Sequence, residues 1–414
     1  MQRDRIHFLF LNVGHFLDHM FTLIFATVAA LALTREWGLS YGDLLKYATP
    51  GFFAFGLFSL PAGWLADKWS REGMVAVFFV GIGLSSIATA VAQTPLQVGI
   101  GLFFIGVFAA IYHPVGLAIV TQRWKNTGMR LAVNGVWGNL GVASAALITG
   151  YFIDHGGWRA AFIVPGIFSV VVGALYLAHQ WTPVVQRHRE APLKVAAGGS
   201  VAPDYKALLM RISAIVFITT AVSSLIFQST TFALPKVFDE RLQGIASDVT
   251  RWISATGLPA QGDIATALGA FTFAVFAIAS MAQLVVGGLL DRYGPRTVFL
   301  VVATIQIVFF ALMPGLTGGW ALATALGFML GAFGQIPITD FMIGKLATGP
   351  ARARIYAVRY VVAFTVLAAS LPLIAFVHAT YGFDMLFRVM AVAASVIFVA
   401  TACLPARLPS PALA

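Results

Sequence analysis

Twelve long apolar runs dominate this sequence and leave few folds open to it. They fall at roughly 6–33, 44–66, 73–93, 96–121, 130–153, 159–181, 207–235, 264–289, 295–314, 319–346, 354–379 and 383–404. A helix that crosses a bilayer needs about 20 predominantly apolar residues, and every run reaches that length. The expected fold is therefore an all-α membrane protein with twelve transmembrane helices. Only 10% of the 414 residues are charged, and 59% are hydrophobic. A soluble domain carries about 25% charged residues, so an ordinary soluble fold is excluded. The net charge of +10 does not point to nucleic acid, because the basic residues sit in short loops between apolar runs and form no single face. The first run is too long for the core of a signal peptide, which spans roughly 7–15 residues, and is read as a retained span. The single cysteine, Cys403, can form neither an internal disulfide nor a thiolate metal site by itself.

The run of breakers over 182–206, with Pro183, Pro192, Gly198, Gly199 and Pro203, is read as a linker. It separates an N-terminal six-helix bundle over 1–181 from a C-terminal six-helix bundle over 207–414. Lys and Arg distribute unevenly once the runs are threaded through a membrane. With both termini and the linker in the cytoplasm, 19 basic residues fall inside and 7 outside, which accounts for all 26. Basic loops stay cytoplasmic, so this topology is expected, in a bacterial-type inner membrane. The segment 236–263 would then be outer. It reads either as an interfacial helix, from the spacing of Leu242, Ile245, Val249, Trp252 and Ile253, or as an irregular loop.

A charged turn recurs in the two halves. Gly63-Trp64-Leu65-Ala66-Asp67-Lys68-Trp69-Ser70-Arg71 returns 224 positions later as Gly287-Gly288-Leu289-Leu290-Asp291-Arg292-Tyr293-Gly294-Pro295-Arg296. Such recurrence marks duplicated architecture. Both copies resemble the signature loop of the major facilitator superfamily, between the second and third helices of each half. The resemblance implies two six-helix bundles and alternating access to a central cavity. It also implies a gating role for Gly63, Asp67, Lys68 and Arg71 and for Gly287, Asp291, Arg292 and Arg296. In the family this Asp meets the positive end of a helix in the opposite half and stabilises the outward-open state.

Ionisable residues inside spans are costly and mark function or pairing. The first span holds Asn12, His15, Asp18, His19 and Thr22, of which the last four follow helical spacing and can share a face, with an outward orientation or one toward another helix as the alternative for His19. The fourth holds Tyr112-His113-Pro114. At about 1.5 Å per residue, His15 and His113 lie at similar depth, and Asp18 lies near the midplane. The family resemblance sets these two helices on opposite sides of one cavity. A carboxylate beside imidazoles can exchange protons near neutral pH, so His15, Asp18, His19 and His113 are the expected proton-coupling group. The alternative is a buried network that only ties the two helices together.

The cavity helices of the second half offer Ser223, Ser224, Gln228 and Gln335, which are neutral and suited to recognition or to interhelical bonds. Asn12, Trp137, Asn139, Ser224, Gln228, Gln335 and Arg359 are the expected substrate contacts. Arg359 matches Asp340 in depth, so a salt bridge or a snorkelling side chain also accounts for it. Three pieces of the first half resemble the fosmidomycin-resistance efflux branch: His15-Phe16-Leu17-Asp18-His19-Met20, Gly106 through Pro114, and Trp137-Gly138-Asn139-Leu140-Gly141. The chain departs from the family at Leu102, at Val115 and after Gly141, where an Arg, a Glu and a Pro would stand.

The expected function is secondary active transport of a small organic solute by proton-coupled efflux. The rivals are a proton-coupled importer of a small metabolite and a non-transporting membrane sensor or assembly protein. No Walker loop, metal-ligand cluster or nucleophile constellation occurs, so an enzyme is not expected. The expected partners are a small-molecule substrate, protons and the bilayer. No cofactor, metal or nucleic acid is expected, and the chain is expected to act as a monomer.

Overall fold

The computed structural model describes residues 2–124, 127–180, 203–257, 262–346 and 349–405, and the side chains of 128, 203–209, 343–361 and 364 lie outside the description. Most of the 182–206 linker and the side chain of Arg359 therefore fall outside the described residues.

The described residues are helical, with no strand among them. Helix α1 (Gln2–Val28) runs through a π-helical turn at Ala29–Leu33 into α2 (Thr34–Glu36), longer at both ends than the expected 6–33. Next come α3 (Tyr41–Lys68), α4 (Arg71–Ala90), α5 (Pro95–Ala109) and α6 (Tyr112–Arg123). Ser40, Ser70 and Thr94 cap α3, α4 and α5 by accepting the backbone N–H three residues on, the usual work of a small polar N-cap. Helix α7 (Thr127–Gln180) breaks at Gly157, α10 (Ile264–Leu312) at Gly294, and α13 (Gly349–Ala402) at Gly382. Each of these glycines has φ between 73° and 78°, where a Cβ is strained. Between them lie α8 (Pro203–Arg241), α9 (Gln243–Ala255), α11 (Gly318–Gly334) and α12 (Ile336–Leu346). Among the described residues, eight helical stretches are long and apolar enough to cross a membrane. Large apolar side chains such as Phe53, Leu60 and Leu284 stand exposed on their outer faces, as a lipid-facing surface requires.

Two of the expected spans are broken. The run expected at 96–121 divides at Ala110–Ile111 into α5 and α6, and the run expected at 319–346 divides at Gln335 into α11 and α12. Pro114 and Pro337 lack the N–H that would close the helix onto Ala110 and Phe333, and their rings crowd those carbonyls. The two breaks share one bond pattern: Ala110 N donates to Gly106 O and Gln335 N to Gly331 O, each at 3.0 Å, with Phe108 O and Phe333 O taken up at the same caps. Each of these residues lies 225 positions from its counterpart, as Gly382 does from Gly157. The duplication read from the charged turns thus extends to the backbone.

The segment 236–263 is helical rather than irregular wherever it is described between α8 and Ala255. Leu242, Ala246 and Thr250 face inward, while Trp252 is 70% exposed. Helix α7 packs along α1, α4 and α10, and α13 packs along α3, α8 and α10. The N-terminal and C-terminal helices meet most extensively at α7 with α10 and at α3 with α13.

Candidate functional site

The break between α5 and α6 turns Tyr112 and His113 toward α1. The Tyr112 hydroxyl donates to Leu11 O at 2.6 Å. Asn134 Nδ2 on α7 lies 2.9 Å from that hydroxyl and 3.0 Å from Asn12 Oδ1. His15 Nδ1 lies 2.8 Å from Asn134 O. A backbone carbonyl only accepts, so Nδ1 carries the proton and the neutral ring leaves Nε2 as an acceptor. That Nε2 sits 3.2 Å from His19 Nε2. Tyr112 stacks on the His15 ring with centroids 5.0 Å apart. Beneath the ring is Gly138, where a Cβ would stand 2.7 Å from His15 Nε2.

Asp18 is fully buried. Its Oδ2 lies 3.3 Å from His113 Nε2, and neither oxygen has an aligned hydrogen bond. The side chains of His15, His19 and His113 offer ring nitrogens that all lie within 4.8 Å of one another. His15 and His19 alone approach to hydrogen-bond distance, 3.2 Å, and a single ion could bridge the three rings. All four residues expected to couple protons are thus gathered in one cluster. His19 belongs to it fully, although its face was ambiguous in sequence. The partner closest to Asp18 is His113, across the helix boundary, while His15 is held by Asn134 and His19. A narrow apolar recess opens beside the cluster, lined by Phe21, Thr22, Phe25, Phe52 and Phe55 with Ala48, Gly51, Leu102, Ile105 and Gly106.

A second, more polar cavity lies among the C-terminal helices. Thr220, Ser223, Ser224, Phe227 and Gln228 line it from α8 at three- and four-residue spacing, with Gln335, Ile336 and Thr339 opposite. Gln335 is more occupied than expected of a substrate contact. Its Oε1 accepts from Gln306 Nε2 at 2.9 Å and its Nε2 donates to Ser223 O at 3.0 Å. Ser224 and Gln228 are half-buried on the cavity wall. Asn12 is buried and bonded to Asn134, while Trp137 and Asn139 are half-buried on α7.

The residues expected to gate keep the contacts described for them within their own half of the chain. Asp67 Oδ1 accepts from Arg71 at 2.8 Å, and Lys68 is exposed. Gly63 packs toward Pro114. In the other copy Gly287 faces open space, Asp291 is exposed, Arg292 lies over Tyr293 and Arg296 donates to Ala402 O. Among the described residues, polar contacts between N-terminal and C-terminal helices gather at the opposite end. Arg35 meets Asp239 at 2.8 Å, Tyr41 OH donates to Phe232 O at 3.3 Å, and Asp154 accepts from Thr266 N at 2.6 Å.

Asn134, Gln306, Asp154 and Asp239 were not singled out from sequence. Asn134 carried a usable signal, an amide one turn before Gly138 in an apolar run.

The family model for the Major Facilitator Superfamily matches residues 11–260, more than half of the chain. The chain belongs to the Major Facilitator Superfamily. Among superfamily relatives, it is 26% identical to the 4-hydroxybenzoate transporter PcaK of Pseudomonas putida over 68% of this chain and 65% of that one. It is 24% identical to the niacin transporter NiaP of Acinetobacter baylyi over 44% of this chain and 46% of that one. The matched region thus spans less than two thirds of either relative. A bacterial homolog of the human lysosomal transporter Spinster, solved inward-facing and unoccupied, aligns over 98% of both chains with TM-score 0.68 and 14% identity. The nucleoside transporter NupG aligns over 96% of this chain and 98% of its own, again with TM-score 0.68 and 14% identity. At such identity these two describe the fold alone.

Proposed function

We propose that this chain is a secondary transporter that carries a small organic solute by alternating access, coupled to protons through Asp18 and His113. In this reading the helical arms on either side of Gly157, Gly294 and Gly382 count as separate crossings. They complete twelve spans in two six-helix bundles, with both termini on the cytoplasmic side of an inner membrane, and the chain works as a monomer. The signature-loop end is cytoplasmic and open, and the opposite end is outer and closed.

The observation that carries the coupling is the buried Asp18 carboxylate 3.3 Å from His113 Nε2. A lone ionised carboxylate in a dry interior is costly unless paired. Asp18 therefore holds either a proton or a charged His113. When protonated His113 faces ionised Asp18, α1 is bound electrostatically to α6. A proton on Asp18 ends that attraction and frees α1 to move relative to the helix break. His15 and His19 extend the path, with His15 held in one orientation by Asn134. The neutral cavity of the C-terminal bundle, with Ser224 and Gln228 on its wall, receives the solute. Efflux is the direction we favour. It accords with a relative named for tetracenomycin C resistance and export, 24% identical over 38% of this chain.

Uptake of a small aromatic carboxylate is the second reading. The 4-hydroxybenzoate relative and the phenylalanine-lined cavity beside the histidines favour it. One experiment separates the readings. Purified protein in liposomes is given a solute panel that includes 4-hydroxybenzoate, nicotinate and a set of cationic drugs, with pH gradients of either sign. At least one solute should move against its concentration gradient, with a direction that reverses with the sign of the pH gradient. Flux indifferent to the gradient for every solute carried would contradict proton coupling.

A further inference from the structure

Helix α10 begins at an N-terminus that its own sequence should cap. Asp263 is the N-cap residue, a type that normally accepts from backbone N–H groups of the first turn. It makes no such bond. Its carboxylate turns instead to His155 of α7, with Oδ2 3.7 Å from Nε2. The cap is supplied from the opposite bundle. Asp154 Oδ1 accepts from Ala265 N at 3.3 Å, and its Oδ2 accepts from Thr266 N at 2.6 Å and from the Thr266 hydroxyl at 2.7 Å.

Below the cap the two backbones touch. A Cβ on Gly150 would run into Ala265 O, and one on Gly269 into Ala146 O. The other seam, between α3 and α13, is built differently. There Ser40 caps α3 from within its own chain segment, accepting from Asp43 N at 3.1 Å. A Cβ on Gly42 would stand 3.0 Å from Ala375 O, so the backbones are also close. Yet the residue 225 positions after Asp154 is Ala379, which has no polar side chain. Among the described residues, only the α7–α10 seam is closed by a carboxylate from one half on the helix N-terminus of the other.

A carboxylate at a helix N-terminus gains from the unpaired N–H groups and from the helix dipole. This cap exists only while the outer ends of α7 and α10 are together. Alternating access requires those ends to part. We propose that Asp154 is the latch of the outer gate: it sets the balance between outer-closed and outer-open states by capping α10 in trans. The latch rests on the alternating-access reading above and adds a residue that neither signature loop contains.

The test reads conformation rather than flux. Leu96 and Trp320 are exposed near the outer starts of α5 and α11. They are replaced by cysteines in a Cys403→Ala background, spin-labelled, and their distance distribution is recorded in liposomes. Asp154→Ala should raise the ratio of long to short distances about tenfold, the scale of lost hydrogen bonds to a charged group. Thr266→Val should raise it by a smaller factor, and Asp154→Asn should fall between wild type and Asp154→Ala. Ser40→Ala removes a cap of similar kind within one bundle. It should lower the melting temperature without moving the ratio. An unchanged ratio in Asp154→Ala overturns the latch, as does an equal shift in Ser40→Ala. If Asp154→Ala fails to fold, an unchanged ratio in Thr266→Val and Asp154→Asn overturns it. A shifted ratio in a protein that carries no solute would keep the latch and overturn the transport reading.

Discussion

The two broken helices share a backbone and differ in what they carry. At Ala110–Ile111 and at Gln335 the same turn of bonds follows the same glycine and phenylalanine, 225 residues apart. The first break delivers His113 to a buried carboxylate and Tyr112 to Leu11 O. The second delivers Gln335, whose amide is spent on Gln306 and Ser223. Duplication supplied one device twice, and side-chain chemistry assigned it two tasks. Titratable groups at the first break can change charge with pH, whereas amides and hydroxyls at the second cannot. In the proposed mechanism the N-terminal bundle senses protons and the C-terminal bundle holds the solute.

The division can be broken from either side. The largest effect is expected from Gly138→Ala. Its Cβ would stand 2.7 Å from His15 Nε2, and overpacking of this kind costs about 1–3 kcal/mol. The displaced ring also loses Asn134 O. Thermal unfolding should fall by several degrees, and pH-driven flux should drop more than flux without a gradient. The position 225 residues on is Ala363, so the second bundle already accommodates a Cβ there.

Gln335→Ala should come next. It strands Gln306 Nε2 and Ser223 O in a buried site, at about 1–3 kcal/mol, read as a lower melting temperature. Its pH response should match wild type, because no titratable group is touched. Gln228→Ala should have the smallest effect. Loss of one hydrogen bond to solute, about 1 kcal/mol, should weaken binding several-fold in a direct binding assay. The pH dependence of transport should stay unchanged. A changed pH dependence in Gln228→Ala would erase the difference between the bundles.

Much of this arrangement was legible before the fold was known. Runs of about 20 apolar residues gave an all-helical membrane fold, with eight stretches long enough to cross among the described residues. A rise of about 1.5 Å per residue brought His15, Asp18 and His113 to one depth. The orientation of His19 was not legible, since helical spacing names a face without saying what lies opposite. The breaks were missed because a proline inside a run does not announce its effect: Pro50 and Pro61 lie within α3 without interrupting it. Asn134 was hidden in a glycine-rich run that reads as a packing face. The Asp154 cap was beyond local reading altogether, because it joins residues 112 positions apart.

The most direct test of the account is Asp18→Asn in liposomes. Asparagine keeps the shape of the protonated carboxyl and cannot take or release the proton. The account predicts that accumulation driven by a pH gradient disappears while exchange of labelled for unlabelled solute, without a gradient, persists. Accumulation that still follows the imposed gradient as in wild type would place the proton elsewhere and leave the Asp18–His113 contact a structural tie between α1 and α6.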